Sequence, residues 1–124
     1  MLISRLFSAN ARLCGCAQVN EKHVQRGDKG EHVALVQYAL VIIENADIAE
    51  GEMAASSYGP STADAVLGYK TRRKIVNLSY QKKPDNIVGI MTVRALDLEI
   101  AAIEKLHGFT IRDRPGNARQ RAWS

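Results

Sequence analysis

Apolar residues recur at intervals of three and four in three stretches of the chain, and turn-forming residues separate those stretches. In the first, Val33, Val36, Leu40 and Ile43 share one face, with Leu35 widening it; that spacing is helical. The stretch opens after Arg26-Gly27-Asp28-Lys29-Gly30, where Asp28 followed three residues later by Glu31 has the form of a capping box. This helix is predicted to run to about Glu44. An acidic loop from Glu44 to Glu52 follows, with room for a short turn. Tyr58-Gly59-Pro60-Ser61 then starts a second helix, with Ser61 expected as its cap and Asp64 favouring its N-terminal dipole. Thr62, Ala65, Val66 and Tyr69 form its buried face, and Lys70, Arg72, Arg73 and Lys74 complement its C-terminus. A third helix follows Gly89, with Thr92 near its start. Val93, Leu96, Ile100 and Ile103 form its stripe, while Arg94, Asp97, Glu99 and Glu104 are expected to face water. The connection from Ile75 to Asn86 is long, and Ile87-Val88 is the only β-like pair beside a turn.

The pattern fades at both ends. Residues 1–26 read as a flexible basic arm with at most one helical turn, and residues 108–124 as a basic tail with the turn chemistry of Asp113-Arg114-Pro115-Gly116-Asn117. The expected architecture is therefore all-α: a small three-helix bundle over residues 27–107 with long interhelical loops, between two terminal extensions.

Charge sharpens this division. The 124 residues carry 17 Lys plus Arg against 13 Asp plus Glu, for a net +4. Residues 1–26 hold four cations and one carboxylate (+3), residues 27–107 nine and eleven (−2), and residues 108–124 four and one (+3). The basic character belongs to the ends, where it keeps a chain soluble or holds polyanions weakly. A helix-turn-helix reader needs a turn of three or four residues, and both connections here are far longer; aromatic residues are also sparse, which disfavours base stacking. Nucleic acid is thus a distant candidate.

No apolar run is long enough for a membrane helix, and no membrane insertion is expected. Arg5 and Arg12 interrupt the N-terminal apolar residues, so no convincing export signal is read there. Leu13-Cys14-Gly15-Cys16 resembles a lipoprotein cleavage box but lacks the preceding apolar run. Cys14 and Cys16 form a bare C-x-C, where zinc needs four ligands, and free thiols are expected. His23, His32 and His107 have no metal-binding spacing, and no phosphate loop or nucleophile–base pair stands out. No enzyme, metal or cofactor is expected.

The punctuation between helices is more specific. It reads Gly27-x-x-Gly30-x-x-Val33-x-x-x-Gln37-x-x-Leu40, then Tyr58-Gly59-x-x-Thr62-x-x-Ala65-Val66-x-x-Tyr69, then Asp85-Asn86-Ile87-Val88-Gly89-x-x-Thr92-x-x-Ala95-Leu96. Over about 80 residues this resembles the bacterial peptidoglycan-binding domain family, three-helix modules commonly attached to cell-wall hydrolases. Val36 stands where that family has Leu, Tyr58 where it has Phe, Lys70 where it has Gln, and Asn86 where it has Gly; Asn tolerates the left-handed backbone that such a glycine supplies. Gly27, Gly30, Gly59, Thr62, Asp85, Gly89 and Thr92 are the architectural positions, with Gly59 and Gly89 expected where tight turns demand glycine.

The resemblance implies binding of cell-wall glycan or peptide stem without chemistry. Tyr58 and Tyr69 would supply rings, Asn86 and Gln37 amides, and Arg72 or Arg73 a partner for a carboxylate. For each there is a structural alternative: Tyr69 in the core, Gln37 on a loop carbonyl, the arginines at a solvated helix end. Peptidoglycan places the protein in the periplasm or cell wall, whereas the missing export signal leaves a cytoplasmic location open. A second hypothesis is an adaptor of the same fold that docks an exported hydrolase or secreted effector.

Overall fold

The computed structural model describes residues 2–75 and 84–107. The basic tail, Lys82-Lys83 and most of the second long connection lie outside the described residues, as does the side chain of His107. Among those described, the chain is all-α: α1 (Arg5–Ser8), α2 (Ala11–Cys16), a 3-10 turn (Asn20–Lys22), α3 (Glu31–Glu44), α4 (Glu50–Ala55), α5 (Pro60–Arg73) and α6 (Ile90–His107).

The three long helices α3, α5 and α6 are those that the apolar spacing predicts. Val33, Val36 and Leu40 of α3, Val66 and Tyr69 of α5, and Val93, Leu96 and Ile100 of α6 are all fully buried. Helix α3 packs against both α5 and α6. Each stripe excludes water from the others, which is why helices with ordinary propensities hold together.

Residues 2–26 correct the expectation of a flexible arm. Leu2, Leu6, Phe7, Leu13, Cys16 and Val24 lie in the same core, and α1 and α2 pack on α6. The carboxylates expected to face water hold this segment. Asp97, itself buried, accepts the Ile3 and Ser4 N–H groups at 2.8 Å each, and Glu104 accepts those of Arg5 and Leu6 at 2.9 and 3.0 Å. Those of Ser4, Arg5 and Leu6 are unpaired donors of a helix start, so α6 caps α1 from the side. Arg94 likewise turns inward, donating from Nε and Nη2 to the Ala17 carbonyl.

The β-like pair contributes one antiparallel bridge, Val24 with Val88, bonded in both directions at 2.9 and 2.8 Å. A second bridge, Lys29 with Ser57, clamps the loop before α3 to the loop before α5. Gly27 and Gly30 sit there with φ of 97° and 128°, angles that glycine adopts readily. The capping box does not form. Gly30 is the N-cap of α3 with no side-chain bond, and Asp28 instead accepts the Gln25 N–H at 2.9 Å. The acidic loop contains α4, whose role appears at the next junction.

Candidate functional site: two linked loop-to-helix junctions

Helix α5 begins at Pro60, whose missing N–H costs nothing at the first helical position. Its cap is not Ser61, whose hydroxyl accepts the Ala49 N–H. Glu52 of α4 takes that place. Its carboxylate accepts the N–H groups of Gly59, Ser61 and Thr62 at 3.1, 3.0 and 2.9 Å, and the Thr62 hydroxyl at 2.7 Å. Desolvation raises the affinity of this carboxyl for protons. The Thr62 and Ser61 hydrogen bonds outweigh it and pull the pKa down to about 2.

Gly59 has φ −108° and ψ −164°, ordinary extended backbone. Glycine makes room for Glu52, which lies against it: a β-carbon would meet the carboxyl carbon at 2.7 Å, and the Glu52 side chain would have to shift. Thr62 links this cap to the core. Its buried hydroxyl also accepts from Gln37 Nε2 at 3.0 Å, and Gln37 bonds the Ser57 carbonyl at 3.0 Å.

The second junction, before α6, is tied to the first by two side chains. The Tyr58 hydroxyl donates to the Asn86 carbonyl at 2.5 Å. Lys70, buried in the last turns of α5, donates to Asp85 Oδ1 at 2.5 Å and to the Ile87 carbonyl at 2.8 Å. Asp85 in turn accepts the Ile87 N–H at 3.2 Å. Lysine at position 70 thus gives the loop a charged anchor. Among the described residues, those with positive φ are Asn45, Ser56 and Lys74 at helix ends and the two glycines, and Asn86 is not one of them. Gly89 has open space where a β-carbon would stand, so neither 86 nor 89 is constrained as expected. Thr92 is buried.

The six residues proposed for ligand contact divide sharply. Tyr58, Tyr69 and Gln37 are internal, at no more than 1% exposure, and their rings and amide serve the fold. Burial first, and the neighbouring carboxylates second, push both tyrosine hydroxyls above the usual phenol range. Tyr69 donates to Glu99 at 2.6 Å. Arg73 stacks 4.6 Å from the Tyr69 ring centroid and bonds Glu99 in a fork at 2.8 and 2.9 Å, with Glu44 at 2.8 Å. Arg72 also pairs with Glu44. The two arginines are therefore bound into an ion-pair network, and Arg73 keeps Glu99 below the usual carboxylate range despite partial burial. Asn86 keeps a partly exposed position at the second junction, and Arg72, with 57% of its side chain exposed, is the freer arginine.

Sequence reasoning missed Glu52 and Lys70 as organisers. An acidic residue eight positions before a helix has no local signature of capping it. Among the described residues no group of His, Cys, Asp and Glu could hold a metal ion, and no helix is long and apolar enough to cross a membrane. No family model, curated protein or solved structure matches the chain.

Proposed function

We propose that this chain is a non-catalytic binding module of the peptidoglycan-binding-domain type, with bacterial cell-wall glycan or its peptide stem as ligand. The observation that supports this reading is the linkage of the two junctions. The Tyr58-Gly59-x-x-Thr62 and Val88-Gly89-x-x-Thr92 segments, which carry the family resemblance, are joined through Tyr58 and Asn86. The bond uses the Asn86 backbone carbonyl, so its side-chain amide is left for a sugar hydroxyl or a stem amide. This reading implies action in the periplasm or cell wall.

The test is co-sedimentation of the purified protein with insoluble sacculi at low and moderate salt. Pelleting that resists salt and falls roughly tenfold in Asn86→Ala supports the proposal, because one lost hydrogen-bonding group costs about 1–1.5 kcal/mol. Protein that stays in the supernatant, or pellets only at low salt, overturns it. The burial of Tyr58, Tyr69 and Gln37 favours a second reading in that case, an adaptor docking an exported hydrolase or secreted effector. Pull-down with such a hydrolase tests that directly.

A further inference from the structure

Helix α6 carries a second apolar stripe besides the one it buries through Val93, Leu96 and Ile100. Arg94, Asp97, Glu99 and Glu104 are bonded to neighbouring elements, and between the exposed Arg94 and Lys105 an apolar stripe runs along the outer side of the helix. Met91, Leu98 and Leu106 are 52%, 60% and 79% exposed. Ala95 and Ala102 lie between them on the same face, the latter exposed and the former half-buried. Intervals of four, three, four and four make this a heptad-type seam over four turns. Solvated helices carry polar residues on such a face, and exposed apolar runs of this size mark contact surfaces.

We infer that the outer face of α6 docks the same face of a second copy of this chain, antiparallel, in a twofold dimer. This goes beyond the ligand proposed above and does not depend on it. Three features select that occupant. First, large and small residues alternate. Antiparallel register about a twofold axis between positions 96 and 97 sets Leu98 opposite the partner's Ala95 and Met91 opposite the partner's Ala102. Each large side chain then enters a space left by a small one. Second, this register opposes no like charges. Lys105 passes beyond the start of the partner's α6, towards the loop carrying Asp85, whereas a parallel pair would face Lys105 with its own copy in the seam. Third, charge disfavours the tail as cover: residues 108–124 carry +3 and would bring arginines against Arg94 and Lys105 at the edge of the stripe. A seam of one helix per copy is a small interface, so dimerisation is expected at roughly micromolar to tens of micromolar protein.

The experiment is sedimentation velocity of the full chain over about three decades of concentration, with Leu98→Glu, Ala102→Glu and, as a control on α5, Leu67→Glu. Expected is a monomer–dimer transition that shifts at least tenfold to higher concentration in Leu98→Glu and Ala102→Glu but not in Leu67→Glu. Helical circular dichroism should be retained, since these sites are exposed. Ala102→Glu guards against a folding defect in Leu98→Glu. In a Cys14→Ser background, Met91→Cys combined with Ala102→Cys should cross-link between copies, because the two sites are about 16 Å apart along one helix. A monomer at every concentration, a dimer unchanged by both seam variants, or cross-linking through Met91→Cys alone, whose two copies this register holds about 16 Å apart, overturns the inference.

Discussion

A β-carbon on Gly59 would sit 2.7 Å from the Glu52 carboxyl carbon and 2.8 Å from its Oε2, so position 59 reports on the cap rather than on backbone freedom. Gly59→Ala must expel the carboxylate, leaving the start of α5 with unpaired donors at a cost of about 1–2 kcal/mol. A melting temperature lowered by roughly 4–15 °C is expected. Gly89→Ala, with open space at that site, should leave it nearly unchanged, and comparing the two by thermal denaturation checks the distinction. Glu52 also gives stability an acid limb. Its folded pKa of about 2 lies below its ordinary 4.5, so the unfolded chain takes up the proton first. The stabilisation is complete above pH 4.5 and is lost as pH falls towards 2. Denaturant titrations between pH 6 and about 2.5 should show that loss. Glu52→Gln should be less stable at neutral pH and flatter in acid, with Glu99, also lowered, supplying the remaining slope. Equal acid slopes in the two proteins would remove Glu52 from this role.

At the scale of elements, what was legible followed from how local the signal is. Helices α3, α5 and α6 span 14, 14 and 18 residues, long enough for a stripe to repeat. Helices α1 and α2 span four and six, too short for a period; α1 is anchored by backbone N–H groups bonded to side chains more than 90 residues away, and the end of α2 by the Arg94 side chain on the Ala17 carbonyl. Asp97 and Glu104, read in sequence as a water-facing pair, could be recognised as caps only once α1 was seen against them. The junction motifs were legible as architecture. The ligand residues were less so, because an aromatic before a turn glycine looks the same whether its ring faces solvent or, as Tyr58 does, the core. The docking of α1 makes a direct prediction. Asp97→Ala leaves the buried Ser4 N–H and the part-buried Ile3 N–H without their acceptor and should cost about 2–3 kcal/mol. Amide exchange at residues 3–7 should rise well above that of α3, and proteolysis should begin in residues 2–17. If exchange there stays as slow as in α3, Asp97 is not the anchor.

For the whole molecule, the basic pI of about 9.3 describes the ends of the chain, and the fold changes which of those cations are available. Arg12 donates to the Lys22 and His23 carbonyls and approaches Asp28, while Lys70, Arg72 and Arg73 are paired with Asp85, Glu44 and Glu99. Three of the four cations in the cluster that most resembled a nucleic-acid patch in sequence are thus paired from within, and Lys74 stays exposed. Residues 108–124, with four arginines and one aspartate, supply +3 of the net +4. Any hold on a polyanion should therefore run through that tail. Ending the chain after residue 107 leaves a net +1, and retention on heparin or duplex DNA should collapse. The salt dependence of binding should fall by roughly three in logarithmic slope, since each phosphate contact contributes about 0.9. The fully buried side chains of the described core lie between residues 4 and 100, so the shortened protein should keep its melting temperature. Sacculus binding through the junctions should survive the same deletion. Polyanion retention that persists with an unchanged slope would instead place the contact on Arg5, Lys22 and Arg26, beside the segment that α6 holds in place.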